Sequence, residues 1–183
     1  MVHSGESASH LVLSKSDGRS SIHVLAGKYV TSLPLLRAFD TFLDTPTSFL
    51  NAHRPTSQTF SSIVDTKPSH AHLDKEARPS HLPNPFFTFL TIFSTPRAEW
   101  EIDSLPYNLR IFRDQVYSDD IFDMRLKECG TYAPLHAKYG VDVEEGAVVV
   151  VRPDGYVGAV VELTEDGFEA INAYFAGFMI SRK

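Results

Sequence analysis

The sequence predicts an α/β fold, a central mixed sheet flanked by helices, and three stretches carry that prediction. Residues 146–163, GAVVVVRPDGYVGAVVEL, set two runs rich in β-branched residues around a Pro-Asp-Gly turn, the pattern of a β-hairpin. Residues 164–179, TEDGFEAINAYFAGFM, follow at once with Phe168, Ile171, Phe175, Phe178 and Met179 on one helical stripe. Residues 86–94, FFTFLTIFS, are almost continuously apolar, as befits a strand buried on both faces.

The other elements fill in around these. Residues 21–26, SIHVLA, alternate Ile22, Val24 and Ala26 with His23 and Leu25, and Gly27 ends the run, so a first strand is expected there. A helix follows over 32–46, with Ser32 as N-cap, Pro34 in the first turn and Pro46 as the stop. Leu35, Leu36, Phe39, Phe42 and Leu43 share its apolar face. A short second helix is expected near TSFLNAHR, 47–54. Residues 54–85 hold five of the eleven prolines and three of the eight histidines, which marks a long irregular insertion. Within 95–110 an extended surface segment is followed by a turn at Leu105-Pro106, and 113–118 reads as a further strand, ending in the acidic pair Asp119-Asp120. Residues 130–140 read as a short helix closed by Gly140, with His136 on its exposed side. In the hairpin, Pro153 and Asp154 suit a type I turn and Gly155 the left-handed position after it. Thr164 is the expected cap of the last helix, with Glu165 and Asp166 favoured by the helix dipole in its first turn.

Strand, helix, strand, helix, hairpin, helix is the order of a thioredoxin-like domain. The expectation is one such domain over 21–183, behind a flexible segment 1–20 and interrupted by the irregular insertion at about 54–85.

Composition then narrows the chemistry. The chain has 183 residues, a net charge of −6 and 43% apolar residues, with 13 Phe and 7 Tyr to build a core. An acidic chain lacks the basic face that nucleic acid or an anionic membrane requires. The polar N-terminus and the short apolar runs give no membrane span, so the expectation is a soluble, cytoplasmic protein. Cys129 is the only cysteine, which excludes an intrachain disulfide and a Cys-x-x-Cys redox site. The place where a redox pair would stand, AGKYVTSL at 26–33, has no thiol, and Glu145-Gly146 stand where a redox scaffold has proline.

Three residues are the candidates for site chemistry. His23 lies mid-strand and Tyr29 just past the strand end, where they would line a small-molecule site with His23 as general base. The plain alternative is a histidine on a solvent face and a tyrosine on the core rim. Arg97, Glu99 and Glu101 would share one face of an extended segment, with Arg97 binding a phenolate or carboxylate; equally, they are the charges of a solvated strand edge. Asp119-Asp120 reads as a solvated turn, Arg152 and Asp154 as turn chemistry, and His70-x-His72 as an unspecific pair rather than a metal site.

The run YGVDVEEGAVVVVRPDGYVGAVVEL followed by EAINAYFAGFM strongly resembles the C-terminal end of the phenol hydroxylase family, FAD-dependent aromatic monooxygenases. DGRSSIHVLAG and FLTIFSTPRAEWEIDSLP resemble earlier parts of the same domain, so the resemblance spans about residues 10–180. One departure is Phe93 in TIFS, where the family often has histidine. The resemblance implies a thioredoxin-like, non-redox domain that serves dimer contacts, while large upstream domains hold flavin and phenol. No Gly-x-Gly-x-x-Gly follows a strand, so no cofactor is expected on this chain. Two functions are compatible with this. One is a free-standing accessory module, a homodimer or a partner of a flavin-dependent monooxygenase in fungal secondary metabolism. The other is a cofactor-free cyclase, isomerase or dehydratase acting on a hydroxylated aromatic or polyketide-derived intermediate.

Overall fold

A computed structural model describes residues 18–53, 84–120 and 133–180. The expectations for most of the N-terminal segment, for the insertion beyond His53, and for Cys129 fall outside these residues. In chain order the elements are β1 (Ser20–Ala26), α1 (Tyr29–Asp44), α2 (Phe49–Ala52), β2 (Phe87–Phe93), α3 (Tyr107–Arg110), β3 (Val116–Ser118), α4 (Pro134–Tyr139), β4 (Ala147–Val151), β5 (Val157–Glu162) and α5 (Glu165–Ala176).

The strands form one mixed sheet in the order β3-β2-β1-β4-β5. β1 runs parallel to β2, with Ile22 opposite Phe89, and β2 parallel to β3. β4 is antiparallel to β1, with Val150 opposite Ile22, and β5 antiparallel to β4. β1 is therefore central, and every one of its residues is buried. Three parallel strands point their carboxyl ends the same way, which gathers the segments after Ala26, Phe93 and Ser118 at one end of the sheet.

Strand alternation divides the core into two layers. Ile22, Val24, Phe87, Phe89, Phe93, Val148 and Val150 face Leu36, Phe39 and Leu43 of α1 and Phe168, Ile171 and Phe175 of α5. Aromatic rings dominate this layer: Phe39 lies 4.9 Å from Phe168, and Phe175 lies 5.0 Å from Phe49 and 4.9 Å from Phe87, centroid to centroid. Each fully buried Phe contributes on the order of 2–3 kcal/mol by burial, and each such ring pair about 1 kcal/mol more. The other layer is aliphatic: Leu25, Leu90, Ile92, Val149 and Val151 pack with Leu135 of α4 and Val141.

Local chemistry accounts for most boundaries. Thr164 caps α5 by accepting the Gly167 N–H, as expected. The hairpin turn closes through Gly155 N–H to Arg152 O at 2.9 Å, with Gly155 at φ +83°, as the Pro-Asp-Gly reading requires. Helix α1 departs from expectation: it begins at Tyr29, not after Ser32, and Pro34 lies inside it. Its first N–H finds an acceptor far away in sequence, because Tyr29 N–H donates to Thr95 Oγ1 at 2.8 Å. Ser32 is instead buried in the helix, and its hydroxyl donates back to Lys28 O at 2.8 Å. At the other end of the chain, α5 stops at Ala176, so Phe178 falls beyond the apolar stripe and is exposed.

The segment expected to be extended before the turn at Leu105-Pro106 is not extended. Arg97–Glu99 and Ile102–Ser104 are single 3-10 turns, and α3 follows them. Trp100 causes the fold-back: it is buried against Phe93 at 4.7 Å, and its indole N–H donates to Ser118 Oγ at 2.9 Å. Arg97, Glu99 and Glu101 therefore do not line one strand face. Likewise Arg113–Gln115 forms a 3-10 turn, and only Val116–Ser118 pairs as strand.

Candidate functional site

The carboxyl ends of β1, β2 and β3 are where an α/β sheet offers polar groups to a ligand. Two glycines let the chain cross there. A Cβ on Gly27 would lie 2.2 Å from Glu144 O, and Gly146, at φ +75°, would place one 2.5 Å from Leu25 O. The strand ends then spread into two groups of side chains.

The first group is aromatic. The Tyr29 ring meets Phe93 edge-on at 5.6 Å, and its hydroxyl donates to Ser104 Oγ at 2.6 Å. The Arg97 guanidinium lies 4.4 Å from the Trp100 ring centroid, and its Nη1 donates to Trp100 O at 2.7 Å. The Arg97 N–H donates to Asp120 Oδ2 at 3.0 Å. Tyr29 and Arg97 thus meet the same Phe93–Trp100 pair, as neighbours of one aromatic patch. The guanidinium is committed to stacking and to closing its own turn, which leaves less of it for a substrate anion.

The second group went unrecognised in the sequence. Asp119 and His136 were expected in solvent, yet both are buried, His136 completely. Asp119 Oδ2 accepts the N–H groups of Leu135 and His136 at 2.8 and 2.9 Å and faces His136 Nδ1 at 2.9 Å. His136 Nε2 faces the carbonyl oxygen of Ala26 at 2.9 Å. Each ring nitrogen thus has a polar partner, a carboxylate oxygen at Nδ1 and a backbone carbonyl oxygen at Nε2. The ring is a clasp that ties the end of β1 to the residue after β3 through α4. Ala133, at φ +56°, is the one described non-glycine residue in the left-handed region, and it precedes the two N–H groups that Asp119 holds. The available sequence signal was Pro134, which marks a helix start whose free N–H groups seek an anion.

His23 joins neither group. It points to the aliphatic layer, on the face of Leu25, while Tyr29 packs on the aromatic layer. It is 2% exposed, not on a solvent face, and its Nε2 has no hydrogen-bond partner. Burial pushes its pKa down to about 4, so it is neutral near pH 7. A general base in that position has no direct route to a substrate. Arg152 pairs with Asp154 at 2.6 Å beside the hairpin turn, as turn chemistry.

Two open cavities lie elsewhere. One of about 520 Å³ is bordered by Phe86, Arg152, Tyr174 and Phe178, and one of about 490 Å³ by Phe49, His53 and Asn172. Neither is lined by His23, Tyr29 or Arg97. Among the described residues no group of three or more His, Cys, Asp or Glu side chains is placed to hold a metal ion. No helix of the described residues is long and apolar enough to cross a membrane.

Comparison with known proteins agrees with the resemblance read from the hairpin and last helix. A 3-hydroxybenzoate 4-monooxygenase of Comamonas testosteroni is 29% identical over 171 residues, covering 90% of this chain and 22% of that protein. The chain thus spans about a fifth of the length of this curated relative. The family model described as phenol hydroxylase, C-terminal dimerisation domain, matches residues 6–183. The chain belongs to the family of phenol hydroxylase C-terminal dimerisation domains.

Proposed function

We propose that the chain is a non-catalytic association module, pairing with a second copy of itself or with a flavin-dependent aromatic monooxygenase. The observation that carries this reading is the match to a dimerisation domain over nearly the whole length of the chain. The side chains support it: His136 and Asp119 hold the fold together, Arg97 closes its own turn, and His23 is sealed in the core. The polar groups gathered at the strand ends serve the domain's own architecture. The reaction in the relative's name belongs to that protein; the proposal for this chain is a supporting role in aromatic metabolism.

The fold that goes with this reading is thioredoxin-like, built as one unit from residue 21 onward. The sheet order β2-β1-β4-β5, with α1 after β1 and α5 after the hairpin, supports it, and β3 extends the β2 edge.

The test is an extract from cells lacking the protein, supplied with the purified chain and followed by mass spectrometry. The module reading expects no metabolite to turn over until a flavin-dependent monooxygenase is present. Catalytic conversion of a compound by the chain alone, with no added cofactor, overturns it in favour of a cofactor-free enzyme.

A further inference from the structure

The two edges of the sheet are built differently. β3 offers three residues and then turns inward at buried Asp119. β5 offers six residues, Val157–Glu162, and among the described residues no strand pairs on its outer side. Edge strands are commonly blunted by lysine, proline or a bulge. β5 has neither lysine nor proline, and its irregularity lies near the hairpin turn, between Val150 and Val151 of the partner strand. From Ala159 to Glu162 the strand keeps regular register with Val150 to Ala147.

The side chains on this edge are apolar and unfinished. Val160 stands opposite Val149, and Val157 opposite Val151. Directly opposed residues share a sheet face. Val149 and Val151 are buried in the aliphatic layer, whereas Val160 is 52% and Val157 49% exposed. The aliphatic layer therefore runs out to the surface along β5.

We infer that β5 is the strand onto which a second copy of this chain adds, β5 against β5 and antiparallel across a two-fold axis. This deepens the association reading and rests on it. The family's description as a dimerisation domain argues for a second copy as occupant. So does symmetry, because an antiparallel strand pair is self-complementary about a two-fold. Charge agrees: the only charged side chain of β5 is Glu162, its last residue. A two-fold near mid-strand sets Glu162 against the start of the other copy's strand, where it meets no like charge. Pairing there would join two five-stranded sheets into one and cover Val157 and Val160.

The experiment is sedimentation equilibrium of the purified chain beside Val160→Lys and Val157→Lys, with Tyr117→Lys on the β3 edge as control. The expected result is a dimer whose dissociation constant rises about 100-fold or more in each β5 variant and stays unchanged in the control. A wild-type dimer that both β5 variants leave intact overturns the β5 assignment while the association reading stands. A wild-type chain that stays monomeric at every concentration overturns self-pairing through β5, and with it the homodimer form of the association reading. If a lysine variant unfolds, hydrogen exchange on the wild type decides. Protection of β5 amides that grows with dimer population supports the inference, and β5 exchange independent of concentration overturns it.

Discussion

The two faces of the sheet solve the problem of burial in different ways. Towards α1 and α5 the layer is almost all carbon, with Phe39, Phe49, Phe87, Phe168 and Phe175 packed ring on ring. Towards α4 the layer is aliphatic but holds two buried histidines, His23 without a partner at Nε2 and His136 with a partner at each nitrogen. The comparison shows that burial of a histidine does not by itself mark a site. His136 is held because its hydrogen bonds are complete, and His23 is kept neutral because its burial is not compensated.

The largest expected effect breaks the aromatic face. Phe175→Ala removes a ring that touches Phe49 and Phe87 and should cost about 4 kcal/mol in urea unfolding. Next is the clasp on the other face. Asp119→Ala leaves the His136 ring and two N–H groups without their partner and should cost about 3 kcal/mol or more.

His23 sharpens the comparison through pH. Its folded pKa of about 4 lies below the ordinary 6.5, so between those values the unfolded chain binds the extra proton. Stability contributed by neutral His23 is present above pH 6.5 and is lost as the pH falls towards 4, by about 3 kcal/mol in all. His23→Leu should flatten that part of the stability profile, measured by urea unfolding across the window. The smallest effect is local: Thr164→Ala removes the α5 cap and should cost about 1 kcal/mol by thermal unfolding.

The aromatic face was legible in the sequence because it is written in period. Alternation placed β1, runs of β-branched residues placed β4 and β5, helical spacing placed α1 and α5, and Pro153-Asp154-Gly155 placed the turn between β4 and β5. What escaped was set by contacts between distant segments. The acceptor that starts α1 at Tyr29 is Thr95, from the end of β2. Trp100 folds its segment back by reaching Phe93 and Ser118. Asp119 and His136 each look like surface residues until the strand ends bring them together, and no spacing rule links them. The candidates His23, Tyr29 and Arg97 were chosen for their chemistry; the structure places Tyr29 and Arg97 on one aromatic patch and His23 on the opposite layer.

The unfinished end of the aliphatic layer, at Val157 and Val160, is where the comparison bears on function. An association module should complete that layer with another chain. Sedimentation equilibrium of the unmodified chain is the most direct test. The account predicts a concentration-dependent approach to twice the monomer mass of 20.4 kDa. A mass that stays at 20.4 kDa at every concentration would contradict self-pairing through β5 and leave a monooxygenase as the module's partner.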